Sequence, residues 1–166
     1  MRWKPDGEHC SECKFSWSTP LQDAIALVAQ APTSLAGMAD GPDARKRPKP
    51  EVWSPAEYLW HMVDVVRIGT ERLWIAMLDP DAGIPCWDAD ALADVRQYSA
   101  LSPRVGLRAL QEAVQSWRAA ATQIPPDATV EHPEFGTLSA ADIIRRNAHE
   151  VHHHAWDMHV HRDAPK

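Results

Sequence analysis

The chain has 166 residues, 45% of them hydrophobic, and a formal net charge of −6. That length suits one domain with a real core. The acidic balance excludes the concentrated basic face on which nucleic-acid binders rely.

Along the chain, Met1-Arg2-Trp3-Lys4-Pro5-Asp6 lacks the apolar core of a signal peptide, and no apolar run approaches the ~20 residues needed to span a bilayer. A cytoplasmic protein without membrane partners is expected. Residues 1–19 lack helical periodicity and read as an irregular arm carrying Cys10 and Cys13, while residues 20–166 read as one domain. Pro20 fits a first helical position, and Leu21, Ile25, Leu27, Val28 and Leu35 recur at helical spacing, so a helix is expected from Leu21 to about Leu35. Gly37 to Pro50 is a loop by turn chemistry, and its basic cluster of Arg45, Lys46, Arg47 and Lys49 is a solvated linker broken by Pro48.

Ser54-Pro55-Ala56-Glu57 supplies an N-cap serine, proline at the first helical position and glutamate at the third, with Trp53 placed as a hydrophobic staple. The helix it opens carries Leu59, Met62, Val63, Val66, Leu73 and Met77 and stops at Asp79-Pro80. An irregular crossover with one short helix near Ala89 to Tyr98 follows. Ser102-Pro103 repeats the capping pattern before a third long helix reaching Ile124. Gly136-Thr137 fits a turn, and Ser139 with Asp142 caps a fourth long helix running toward Met158. Alternation is too short anywhere to announce a strand. Four long helices imply an all-α four-helix bundle.

The fourth helix is rich in histidine: His149, His152, His153, His154, His159 and His161. His149 and His153 are four residues apart, which puts their β-carbons about 5–6 Å apart on one face. Two imidazoles so placed can share an ion, and catalytic zinc commonly takes a third protein ligand and keeps an open position. His61, the one histidine of the second helix, is the candidate third ligand. His152, His154, His159 and His161 fall on other faces or later turns and are expected to be rim or solvated residues, while His9 and His132 lie in expected loops. Metal-bound imidazoles usually donate their second N–H to a carboxylate or carbonyl, so Asp64, Glu150 and Asp157 are candidate supporting groups. Three imidazoles and a water suit zinc most simply, with nickel, cobalt and iron as alternatives.

The stretch from Val52 to Val65 resembles the "W-S-x-x-E-x-x-x-H-x-x-D" signature of the DinB/YfiT-like metal-dependent superfamily, and His149 to Asp157 resembles its "H-D-x-x-H-H-x-x-D" closing motif. His152 departs from the usual apolar residue there. Glu71-Arg72-Leu73, Pro85-Cys86-Trp87-Asp88 and Arg96-Gln97-Tyr98, with the opening run Cys10 to Phe15, are similar to an actinobacterial branch. The resemblance implies an up-down-down-up bundle, metal ligation by His61, His149 and His153, and a tendency to form homodimers. It also implies thiol-dependent transfer or isomerisation with mycothiol or bacillithiol on a small-molecule substrate, or metal-dependent hydrolysis. Arg72, Arg96 and Arg145 or Arg146 are candidates for binding carboxylates of a thiol cofactor or substrate. Trp60, Trp87 and Trp156 are candidates for its walls.

Three cysteines in a reducing compartment argue against a disulfide framework. Cys10-x-x-Cys13 is half a structural zinc motif that would need His9 or histidines of the last helix to complete it; a redox pair and free thiols are the alternatives. The expected function is a metal-dependent thiol transferase or isomerase, against a hydrolase or a non-catalytic metal-binding or stress-response protein. A di-iron bundle is disfavoured, because Glu57 precedes His61 by four residues and Glu150 directly follows His149.

Overall fold

The structure is a computed structural model that describes residue 5, residues 7–39 and residues 41–162, with the backbone alone described at 38, 39, 161 and 162. The opening residues 1–4, read above as no signal peptide, and the His161 side chain lie outside the described residues. The chain forms α1 (Leu21–Ala39), α2 (Pro55–Leu78), α3 (Ala89–Val95), α4 (Pro103–Gln123), a hairpin of β1 (Thr129–His132) and β2 (Gly136–Ser139), and α5 (Ala140–Arg162). α1, α2, α4 and α5 make the bundle. α1 packs against α4 and α5, α2 packs against the same two, and α1 meets α2 only sparingly, so α1 and α2 occupy opposite corners.

The caps explain where the helices begin. Ser54 Oγ accepts from the Glu57 backbone N–H at 3.3 Å while Glu57 Oε2 accepts from the Ser54 N–H at 2.8 Å, a reciprocal pair that satisfies two helix-end groups. Trp53 meets Tyr58 edge-on at 5.6 Å, which is the expected staple. Ser139 and Asp142 repeat the reciprocal pattern at the start of α5, at 2.9 and 3.1 Å. Ser102 departs from expectation: α4 starts at Pro103, yet the Ser102 side chain makes no capping hydrogen bond. α1 also outruns its expected end through Gly37 to Ala39, since glycine weakens a helix by about 1 kcal/mol without forbidding it.

The hairpin is the element that periodicity missed. Its strands have four residues each; Val130 and Leu138, directly paired, are their buried apolar residues, and His132 and Ser139 are buried beside them. Gly136, expected in a turn, opens β2 at φ +68. The crossover between α2 and α4 is pinned to α2 by buried Asp64, which accepts hydrogen bonds from Arg96 and from the Tyr98 hydroxyl. The arm folds back through an antiparallel bridge between His9 and Ser16 and lays Phe15 against His149 and His152. Among the described residues, no helix is long and apolar enough to cross a membrane.

Candidate metal centre

The metal-binding side chains gather differently from the expected trio. His61 meets Glu150 and His154, with one donor atom from each lying within 4.8 Å of the other two. His149 and His153 join Cys10 and Cys13 in a separate group at the same mutual reach. The cause is helical geometry: Glu150 and His154 repeat the four-residue spacing of His149 and His153 one position further on, about 100° around α5. That rotation turns the first pair toward α2 and leaves the second pair beneath the arm. Glu150, expected behind the ligands, and His154, expected at the rim, therefore stand beside His61.

His61 is held on α2 in an aromatic box. Trp53 lies 5.0 Å from its ring, Trp87 stacks at 5.5 Å, and His154 approaches edge-on at 4.8 Å. Burial, reinforced by the positive charge of His154, pushes its pKa down to about 3, so the ring is neutral with a lone pair available. Its Nδ1 is buried with no hydrogen-bond partner, an orphan that a cation or a bound polar group would satisfy. Burial pushes His154 down, but Asp157 and Glu150 overcome it and raise the group to about 9. The Asp157 carboxylate accepts from His154 Nδ1 at 2.8 Å and so orients the ring. Burial raises the Glu150 carboxyl, yet its contacts with His149 and His154 hold it well below the usual carboxylate range. Two imidazoles and a carboxylate are the donor set of a divalent transition-metal site.

These three groups line a cavity of about 460 Å³, together with Trp53, Tyr58, Trp87, Arg72, Arg146 and Asn147. Arg72 donates to the Pro85 carbonyl at 2.9 Å, and its Nε is buried without a partner. Arg146 stacks over Phe135 at 4.0 Å. Arg72 and Trp87 both line this cavity. Arg96 does not: Asp64 engages its guanidinium, it lies over Trp60 and Tyr98, and it is absent from the cavity lining. Asp64 accordingly serves the crossover rather than His61. Arg145 is also turned away, donating to the Thr19 carbonyl at 3.0 Å. Trp60 belongs to the core, and Trp156 packs beside His153. His152 Nε2 donates to the Cys13 carbonyl oxygen of the arm at 3.0 Å. His132 is buried in the hairpin, stacked on Phe135, and His159 is exposed.

A bundle whose second long helix presents a histidine toward the last defines a class, and sequence comparison gives its name. Residues 24–158 match the model of the DinB superfamily, and the chain belongs to that superfamily. No curated protein matches it by sequence. By structure it resembles YfiT from Bacillus subtilis, described as a probable metal-dependent hydrolase with an unusual four-helix bundle topology, at TM-score 0.77 and 16% identity over 96% of this chain and 91% of that one. It also resembles the mycothiol-dependent maleylpyruvate isomerase, at TM-score 0.61 and 16% identity, covering 84% of this chain and 60% of that one. The fold is therefore the up-down-down-up four-helix bundle that the motifs imply.

Proposed function

We propose that the protein is a metal-dependent enzyme whose ion is held by His61, Glu150 and His154, and which uses a low-molecular-weight thiol to transform a small electrophile by transfer or isomerisation. The observation that carries this reading is the opening of a three-donor set into a cavity, since a site with three protein ligands retains a position for a reactant and a four-ligand site does not. A divalent metal there supplies the means of holding a thiol or water as its anion near neutral pH.

The chain's own groups account for the rest. His61 stays neutral through burial, and Asp157 fixes the ring of His154 so that Nε2 points to Glu150, 3.4 Å away. Trp53 and Trp87 exclude water from one side of His61. Arg72 and Arg146 give the wall positive charge, which suits an anionic electrophile or a carboxylate-bearing thiol such as bacillithiol. The similarity to the mycothiol-dependent isomerase supports the thiol branch, and the similarity to YfiT supports a hydrolase as the alternative outcome. A cytoplasmic location fits a thiol cosubstrate.

The test is metal analysis and turnover on one variant set, with zinc, nickel, cobalt and iron each offered to metal-free protein. His61→Ala, Glu150→Gln and His154→Ala should each lose the cavity ion and thiol consumption with an electrophile panel, while His149→Ala should keep both. Loss of the cavity ion in His149→Ala, with retention in His154→Ala, would restore the His61, His149 and His153 set and overturn this one. Hydrolysis without thiol consumption would select the alternative.

A further inference from the structure

The arm carries a second constellation that the cavity does not use. Cys13 is buried, Cys10 is half-buried, and the pair is unoxidised. They sit in a turn closed by hydrogen bonds from Cys10 N–H to the Phe15 carbonyl at 2.9 Å and from Lys14 N–H to the Cys10 carbonyl at 3.2 Å. Lys14 follows Cys13 at φ +62, a left-handed conformation that lysine adopts only under local constraint. The turn aims both sulfurs at α5, where Cys10 Sγ lies 3.8 Å from His153 Nδ1.

We propose that Cys10, Cys13, His149 and His153 bind a zinc ion with all four positions filled, a structural site that clamps the N-terminal arm onto α5. All four donors lie within 4.8 Å of one another. The edges of a tetrahedron with Zn–S near 2.3 Å and Zn–N near 2.0 Å are about 3.3–3.8 Å, so closure requires side-chain shifts and no rearrangement of backbone.

The two imidazoles are set up in the same way. His149 Nε2 is buried without a hydrogen-bond partner while its Nδ1 faces Glu150 Oε1 at 3.7 Å. His153 turns Nδ1 to Cys10 while its Nε2 faces Glu12 Oε2 at 3.4 Å and Asp157 Oδ2 at 3.7 Å. Each ring thus offers one nitrogen to the cluster and rests the other against a carboxylate, the usual support of a metal-bound histidine. None of the four residues lines the cavity. Binding releases the thiol protons to solvent, and no oxidant is required. The inference stands independently of the cavity reaction.

The experiment uses the full chain and the metal alone. Zinc-loaded protein should contain two ions per chain, falling to one in Cys10→Ser, in Cys13→Ser and in His154→Ala, and to none in Cys13→Ser with His154→Ala. Cobalt-substituted protein should show a thiolate-to-cobalt charge-transfer band that persists in His154→Ala and disappears in Cys10→Ser. The cobalt spectrum of the unaltered chain decides the matter even if a cysteine variant fails to fold. One ion per chain that both cysteine variants retain, no charge-transfer band, or an isolated protein in which Cys10 and Cys13 form a disulfide would each overturn the proposal.

Discussion

Gly69 sits in the middle of α2, where alanine is intrinsically better by about 1 kcal/mol. Local chemistry alone says that Gly69→Ala stabilises the protein; packing says the opposite. A Cβ at this position would stand 2.3 Å from Asn147 Oδ1 and 2.8 Å from its Cγ and Nδ2. Asn147 has little room to withdraw, because Oδ1 accepts from Trp117 Nε1 at 2.9 Å and Nδ2 reaches the Val65 carbonyl at 3.5 Å. Trp117 is fully buried, so displacing Asn147 strands an indole N–H at a cost of about 1–3 kcal/mol. Overpacking adds about 1–3 kcal/mol. Set against the propensity gain, the net loss centres near 3 kcal/mol, which for a chain of this size lowers Tm by about 6–12 °C. Thermal unfolding followed by circular dichroism measures it. In an Asn147→Ala background the obstruction is gone, and Gly69→Ala should then be neutral or stabilising. A single variant as stable as the parent would refute the packing argument. Because Gly69 and Asn147 also line the cavity, the closeness of α2 and α5 here sets how His61 meets Glu150 and His154.

Two further substitutions test the supports of the site. Burial pushes the Glu57 carboxyl up, but the Arg47 guanidinium and the Ser54 donors outweigh it and leave the group below its ordinary 4.5. A lowered folded pKa means that the stabilisation is complete above the unfolded value and is lost as pH falls through the folded one. Urea unfolding should therefore show Glu57→Gln less stable by about 1–3 kcal/mol at neutral pH, with the gap closing in acid; a gap independent of pH would contradict it. Asp64→Asn removes the anion that Arg96 and Tyr98 share, and should cost about 1.5–3 kcal/mol while speeding amide exchange between α3 and α4. Its cavity metal content should stay unchanged, whereas a loss of metal would return Asp64 to the role behind His61.

The bundle was legible because its caps and its apolar spacing agree. Ser54, Pro55 and Glu57 announce α2 to the residue, and Asp79-Pro80 ends it. The hairpin was not, since strands of four residues are too short for their alternation to stand out. For the site, sequence placed His61 on the right helix and found the histidine-rich segment. It took the register His149/His153, whereas the structure brings Glu150 and His154 to His61; both pairs have the same spacing, and which one faces α2 depends on how α5 is rotated. A carboxylate at the head of one pair was the available signal, since mixed His and Glu donor sets are as good a metal shell as three imidazoles. The neighbours of Cys10 and Cys13 were narrowed to His9 or histidines of the last helix and no further, for a different reason. They depend on how an arm without periodicity folds back through the bridge of His9 and Ser16.

The two donor groups are not independent, because they interleave on two turns of one helix. His149 touches Glu150 through Nδ1 while its other nitrogen belongs to the cysteine group, and Asp157 contacts both His153 and His154. Each carboxylate that faces a ring of one group thus also faces a ring of the other. The same turns of α5 set His149 and His153 under the arm and Glu150 and His154 before His61. Under the two proposals the same six-residue run would contribute to both sites: to four donors closed under the arm, and to three donors open to the cavity.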